Sequence, residues 1–210
     1  MWSYPHVFQP EIGVLRQGYN MKGKWKQNFF KNDNPLVVEL GCGMGEYTVG
    51  MAENESNKNY IGIDVKGARM WQGATQSLEK GLSNVAFLRI RIEFIECCFN
   101  KNEIDEIWIT FPDPQIKKRR AKKRLTHPNF LKKYKNIIRD NGLIHLKTDS
   151  QFLHGFTLGV IASQGYEIEE TTNDIYSSNL EKECMGITTH YEKIYLEKGI
   201  PITYLRFRLK

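Results

Sequence analysis

Short apolar, β-branched runs alternate along this chain with longer stretches in which apolar positions recur at helical spacing. "PLVVEL" (35–40) is a continuous apolar run bounded by Pro35 and by glycines, the pattern of a strand buried on both faces. "NYIGIDV" (59–65), "VAFLRIRI" (85–92), "IDEIWITF" (104–111) and "GLIHLKT" (142–148) repeat it. Between these runs lie helix-like stretches at 45–54, 67–80, 93–99 and 127–140. The last places Phe130, Leu131, Tyr134, Ile137 and Ile138 on one face, with Thr126 positioned to cap it and Pro128 suited to a first helical turn. Such alternation predicts an α/β chain with a mostly parallel sheet and helices on both faces. The tail "ITYLRFRLK" (202–210) alternates with no helix after it, predicting a late antiparallel strand. Segments 1–34 and 172–190 are the least regular, and no internal repeat is visible.

Length changes the picture little: 210 residues suit one sizeable core, here an N-terminal extension over 1–34, expected to be partly mobile, and a domain over 35–210. Charge changes it more. The chain carries +6, but seven of the eight residues from Lys117 to Arg124 are cationic, so removing that run leaves −1. The basicity is local, which points to a docked polyanion rather than a generally adhesive surface. Cys42, Cys97, Cys98 and Cys184 show no C-x-x-C spacing, suggesting neither a zinc site nor a disulfide frame. With no export signal and no apolar stretch long enough to span a bilayer, the expectation is a reduced, cytoplasmic protein without membrane or metal.

Candidate chemistry begins at the first strand-to-helix turn. "ELGCGMG" (39–45) sets glycines at 41, 43 and 45 directly after a strand, where missing side chains let a ligand approach backbone. A dinucleotide fingerprint would need glycine at 46, and Glu46 stands there, a poor neighbour for pyrophosphate. A neutral or cationic nucleoside fits better. Glu39 supplies negative charge suited to a sulfonium and an amino group, and Asp64 closes the next strand, where an acid can hold two ribose hydroxyls. Together Glu39, Gly41, Gly43 and Asp64 point to S-adenosyl-L-methionine, whereas the glycine turn alone reads more readily as a tight turn than as a cofactor loop.

The fourth strand ends in "FPDPQIKKRRAKKRL" (111–125). Ligands of open parallel sheets bind beyond the carboxyl ends of strands, which puts Asp113 at the cofactor's reactive end, stiffened by Pro112 and Pro114. No aromatic residue follows Pro114, which argues against methylation of an exocyclic base amine. The basic run leaves the same strand end, so its cations can hold phosphates while the acid faces a base. Taken alone, Asp113 also reads as a turn residue and the run as a solvated loop.

At these residues the chain resembles the bacterial tRNA (guanine-N7-)-methyltransferase family, through "ELGCGMG", "YIGIDVKGARMW", "FPDPQIKKRRAKKRLTHPNFLKKY", "HLKTD" and "TTHYEKIYLEKGIPITYLRF" in order. The resemblance implies a Rossmann-like class I methyltransferase fold with a seven-stranded sheet, and transfer from S-adenosyl-L-methionine to N7 of a guanosine in the tRNA variable loop. It implies cofactor contacts from Glu39, Asp64 and Asp113, and substrate contacts from Lys117, Asp149, Thr189, His190, Tyr191 and Glu192. Lys118, Arg119, Arg120, Lys122, Lys123 and Arg124 would meet RNA phosphates. The protein would act as a monomer or homodimer.

Guanine N7 carries an in-plane lone pair and no proton, so Asp113 is expected to position and stabilise charge rather than remove a proton. Asp149 could accept from the guanine N1–H and amino group, or cap a helix. His145 is expected in the core, and Tyr4, Phe8, Arg16, Tyr19 and Trp25 to cover RNA or cofactor or to form a mobile tail. Two departures from the family pattern stand out: Gln115-Ile116 replaces Trp-Pro, and Arg91 stands where an acid usually lies near adenine. A small-molecule methyltransferase and a noncatalytic tRNA-binding module remain the competing functions.

Overall fold

The five apolar runs become the centre of one sheet. A computed structural model describes residues 4–209; residues 1–3 of the expected extension and Lys210 of the expected domain lie outside the described residues. The strands are β1 (Val7–Phe8), β2 (Leu36–Leu40), β3 (Asn59–Asp64), β4 (Val85–Arg89), β5 (Ile104–Thr110), β6 (Ile138–Thr148), β7 (Glu167–Thr172) and β8 (Thr203–Arg208). Their spatial order is β1-β4-β3-β2-β5-β6-β8-β7. Pairs from β1 through β6 are parallel, and β8 runs antiparallel to both β6 and β7. The order reverses at β2, with β3 on one side and β5 on the other, which opens a crevice at the carboxyl ends of these strands.

Among the described residues, seven α-helices accompany them: α1 (Ile12–Gln17), α2 (Glu46–Asn54), α3 (Gly67–Glu79), α4 (Ile95–Cys98), α5 (Pro128–Ile137), α6 (Gln151–Gln164) and α7 (His190–Glu197). Leu36, Val38 and Leu40 enter one core and Val37 the other, as strand alternation demands of a sheet covered on both faces. None of the helices among the described residues is long and apolar enough to cross a membrane.

The eighth strand is β1, which the sequence did not predict. Val7 pairs with Phe87, and the Phe87 amide donates to the His6 carbonyl at 2.8 Å, so the extension covers what would otherwise be the β4 edge. Of its aromatics, Tyr19 and Trp25 are buried in the core. Trp25 is 0% exposed, its indole donates to the Cys98 carbonyl at 3.0 Å, and its ring stacks on Phe99. Val7, Phe8 and Trp25 of the extension thus pack against β4 and the core.

Two local expectations also change. Thr126 does not cap α5; the His127 ring accepts from the Asn129 amide (3.2 Å), while Thr126 bonds Thr157 of α6 (2.7 Å). Helix α6 was not predicted, because "QFLHGFTLGVIASQ" is apolar on most sides and shows little periodicity. Ser150 caps it by accepting from the Leu153 amide, and Gly165 ends it at φ 67°.

Candidate active site and nucleic-acid interface

Three glycines turn the chain from β2 into α2, all with positive φ, but they serve different ends. A Cβ on Gly45 would meet Phe87 at 2.8 Å, so that glycine permits close packing. At Gly41 and Gly43 the nearest atoms would lie at 3.9 and 4.0 Å, leaving the backbone open to the crevice. The crevice is a cavity of about 610 Å³, within the range of small-molecule sites, and Glu39, Gly41, Gly43, Asp64 and Asp113 all line it.

Glu39 is buried at the end of β2, where both its oxygens accept threonine hydroxyls, one from Thr48 of α2 and one from Thr110 at the end of β5. Burial pushes its carboxyl above the usual range; the two hydroxyls oppose this and the nearby Asp64 charge adds to it. Asp64 accepts from the Gly43 amide (3.0 Å) and the Lys66 amide (2.8 Å), which fixes the glycine turn against the end of β3. Arg91 lines the cavity wall and forms a 3.5 Å ion pair with Glu93, so an acid does stand there, two residues beyond the departure.

Asp113 sits exposed on the cavity rim and accepts from the Gln115 amide (2.9 Å), closing a tight turn. Phe111 and Gln115 bracket it at φ 45° and 46°, a region non-glycine residues seldom adopt. The basic run follows as a short, tight helical turn (Lys118–Lys123). Lys117, Lys118, Arg119, Arg120, Lys122 and Lys123 are exposed, and Lys123 reaches the cavity wall.

Arg124 is a correction. It is 5% exposed, its guanidinium donates to the carbonyls of Pro114, Gln115 and Ile116, and it lies over the rings of Phe152 and Phe156. Its Nε and Nη2 donors are thus committed to backbone carbonyls, unlike the six exposed cations beside it.

The C-terminal candidates divide similarly. Thr189 and Tyr191 line the cavity, Tyr191 as an exposed ring. His190 has an exposed side chain while its amide donates to Glu46, which ties α7 to the start of α2. Asp149 lies just past β6 but off the cavity wall; burial raises its carboxyl's pKa, opposed by a hydrogen bond from Tyr195. Glu192 is the second correction, being wholly buried: it closes a capping box with Thr189 and pairs with Lys147. Lys117 is exposed on the loop, off the cavity wall. No group of His, Cys, Asp and Glu suited to a metal ion occurs among the described residues.

Residues 33–205 match the family described as "Putative methyltransferase". The tRNA (guanine-N(7)-)-methyltransferase of Christiangramia forsetii is 55% identical, over 99% of this chain and 94% of the relative. That of Bacteroides fragilis is 51% identical, over 100% of this chain and 82% of the relative. The chain belongs to the tRNA (guanine-N(7)-)-methyltransferase family. Among solved structures, the 16S rRNA methyltransferase KamB superposes with a TM-score of 0.67 at 13% identity, over 88% of this chain and 92% of that one, a likeness of fold.

For a member of this family, sequence reasoning missed Thr48 and Thr110, the hydroxyl partners of Glu39, and Lys147 and Arg124 as internal cations. Lys147 left a signal, a cation inside the apolar strand "LIHLKT". Arg124 left none, because it stands in a run of solvent-facing cations.

Proposed function

We propose that this chain transfers a methyl group from S-adenosyl-L-methionine to N7 of the guanosine at position 46, in the variable loop of tRNA, giving N7-methylguanosine. The observation that carries the reading is one strand end: β5 leads into both Asp113, on the cavity rim, and six exposed cations.

The cavity suits the cofactor. The open backbone at Gly41 and Gly43 admits close approach, Asp64 retains acceptor capacity for ribose hydroxyls, and Glu39 offers negative charge to cationic groups. When bound, S-adenosyl-L-methionine supplies an electrophilic methyl on a positive sulfur. The protein's part is then positional and electrostatic. No side chain has to take a proton from guanine N7, and Asp113 stabilises the positive charge that the purine gains. Asp149 and Thr189 are the candidates for reading the base, and Tyr191 offers a ring on which a base can stack. The exposed cations hold the backbone, a role that neither a small acceptor nor a membrane-bound one would need. A tRNA substrate fits a cytoplasmic location.

The test is transfer of a labelled methyl group from S-adenosyl-L-methionine to unmodified tRNA, with product mapped by cleavage at alkali-labile N7-methylguanosine. Modification of one variable-loop guanosine is expected. Absence of incorporation by folded, cofactor-binding protein, or modification elsewhere, would overturn the reading.

A further inference from the structure

We infer that Arg124 is a positioning residue for methyl transfer, acting through the Asp113–Gln115 turn rather than through RNA phosphates; this builds on the function proposed above. Its guanidinium forms four hydrogen bonds with three consecutive carbonyls, to Pro114 (3.3 Å), Gln115 (3.3 and 3.1 Å) and Ile116 (3.4 Å). The rings of Phe152 and Phe156, on consecutive turns of α6, hold its plane at 4.7 and 4.4 Å. Loop, cation and helix thus form one clasp.

What the clasp grips is the segment that carries Asp113. The Gln115 amide donates to Asp113 while the Gln115 carbonyl accepts twice from Arg124, so this residue is held on both sides. Gln115 adopts φ 46°, a conformation that persists only where its surroundings over-determine it. Its side chain lines the cavity, and its buried Oε1 has no hydrogen-bond partner. A shift of this peptide would therefore move both the rim carboxylate and a cavity-lining amide. Lysine carries the same charge but has no planar fork to span three carbonyls, so the role demands arginine specifically.

The experiment compares Arg124→Lys and Arg124→Met with the unmodified protein in tRNA methylation, measuring kcat, KM, cofactor affinity and salt dependence. In both variants kcat should fall roughly 10²-fold, the scale of a small misplacement of reacting groups. KM for tRNA, cofactor affinity and the salt slope should hold. A flatter salt slope with intact kcat, or full activity in Arg124→Lys, would return Arg124 to the phosphate contacts and overturn the inference. Hydrogen exchange at the Gln115 amide tests the clasp without turnover, and so separates its failure from failure of the functional proposal: faster exchange in Arg124→Lys supports it, unchanged exchange overturns it. If Arg124→Met does not fold, Phe152→Ala serves beside Arg124→Lys: it removes a half-exposed ring from the clasp and should speed the same amide, and an unchanged rate in both variants overturns the inference.

Discussion

Lys147 Nζ lies 2.6 Å from Glu192 Oε1, and both side chains are 0% exposed. The same oxygen accepts from the Tyr176 hydroxyl (2.7 Å), and Oε2 accepts from the Thr189 amide (3.2 Å). Glu192 is thus committed within the protein, and its pairing ties the start of α7, with Thr189 and Tyr191, to β6 beneath the cavity. Removing one member would leave a buried charge unpaired. Lys147→Met should cost about 3–5 kcal/mol of stability, and the double variant Lys147→Met/Glu192→Leu should recover part of it. Denaturant titration of the three proteins checks this; a fully stable Lys147→Met would show that the pair does not anchor α7.

Asp113 has two separable duties, a charge at the cavity rim and an acceptor for the Gln115 amide. Asp113→Asn keeps an acceptor and loses the charge, whereas Asp113→Ala loses both. Single-turnover methylation should fall in both and further in Asp113→Ala, with cofactor affinity retained. Equal loss in the two variants would leave the turn without a separate contribution, and full turnover in either would remove Asp113 from the chemistry.

Glu39 gives a pH dependence with a defined sign. Burial raises its pKa, so as pH falls it takes up a proton earlier than an ordinary carboxylate and loses its attraction for a cationic ligand. Cofactor binding should therefore weaken toward acid pH, beginning above the usual carboxylate range. Glu39→Gln should bind roughly 10- to 100-fold more weakly at neutral pH, the scale of a charged hydrogen bond, and lose this acid limb. Calorimetry across pH decides it, and an acid limb that persists in Glu39→Gln would assign the titration elsewhere.

The strand pattern was legible because β2, β3 and β5 are buried on both faces and announce themselves as apolar runs, with glycine turns marking where they stop. Asp64 and Asp113 could be placed by the rule that parallel strands present ligand residues at their carboxyl ends. What stayed hidden depended on contacts distant in sequence. Arg124 and Lys123 are neighbours in one basic run, yet one is clasped against α6 and the other faces solvent, a division set by Phe152 and Phe156, 28 and 32 residues on from Arg124. Glu192 reads as a surface acid of "TTHYEK" until Lys147, far away on β6, is brought beneath it.

Six exposed cations at one loop should dominate RNA affinity at low ionic strength. Replacing Lys118, Arg119, Lys122 and Lys123 with Gln should flatten the slope of log K against log salt by about 3, taking single-strand-like counterion release at four phosphates. Cofactor affinity should change little. Filter binding of tRNA over a salt series measures the slope; one that stays unchanged would move the RNA contact off this loop.

Glu106 supplies a stability test remote from the cavity. It lies on β5 beneath the stacked rings of Trp108 and His145, accepts from the Trp108 indole (2.6 Å), and sits 3.1 Å from His145 and 3.5 Å from Lys58. Burial alone would raise its pKa, but the hydrogen bond and charge of His145, with Lys58 and Trp108, bring it from 4.5 down to about 2. A carboxyl held low when folded binds its proton more readily in the unfolded chain. Its contribution, on the order of 3 kcal/mol, is present above pH 4.5 and is lost as pH falls toward 2. Stability of the native protein should thus decline across this window, and Glu106→Gln should be less stable at neutral pH with a shallower decline. Because Glu106 does not line the cavity, cofactor affinity at neutral pH should survive the change. An acid decline equally steep in Glu106→Gln would assign the lost stability to other carboxylates.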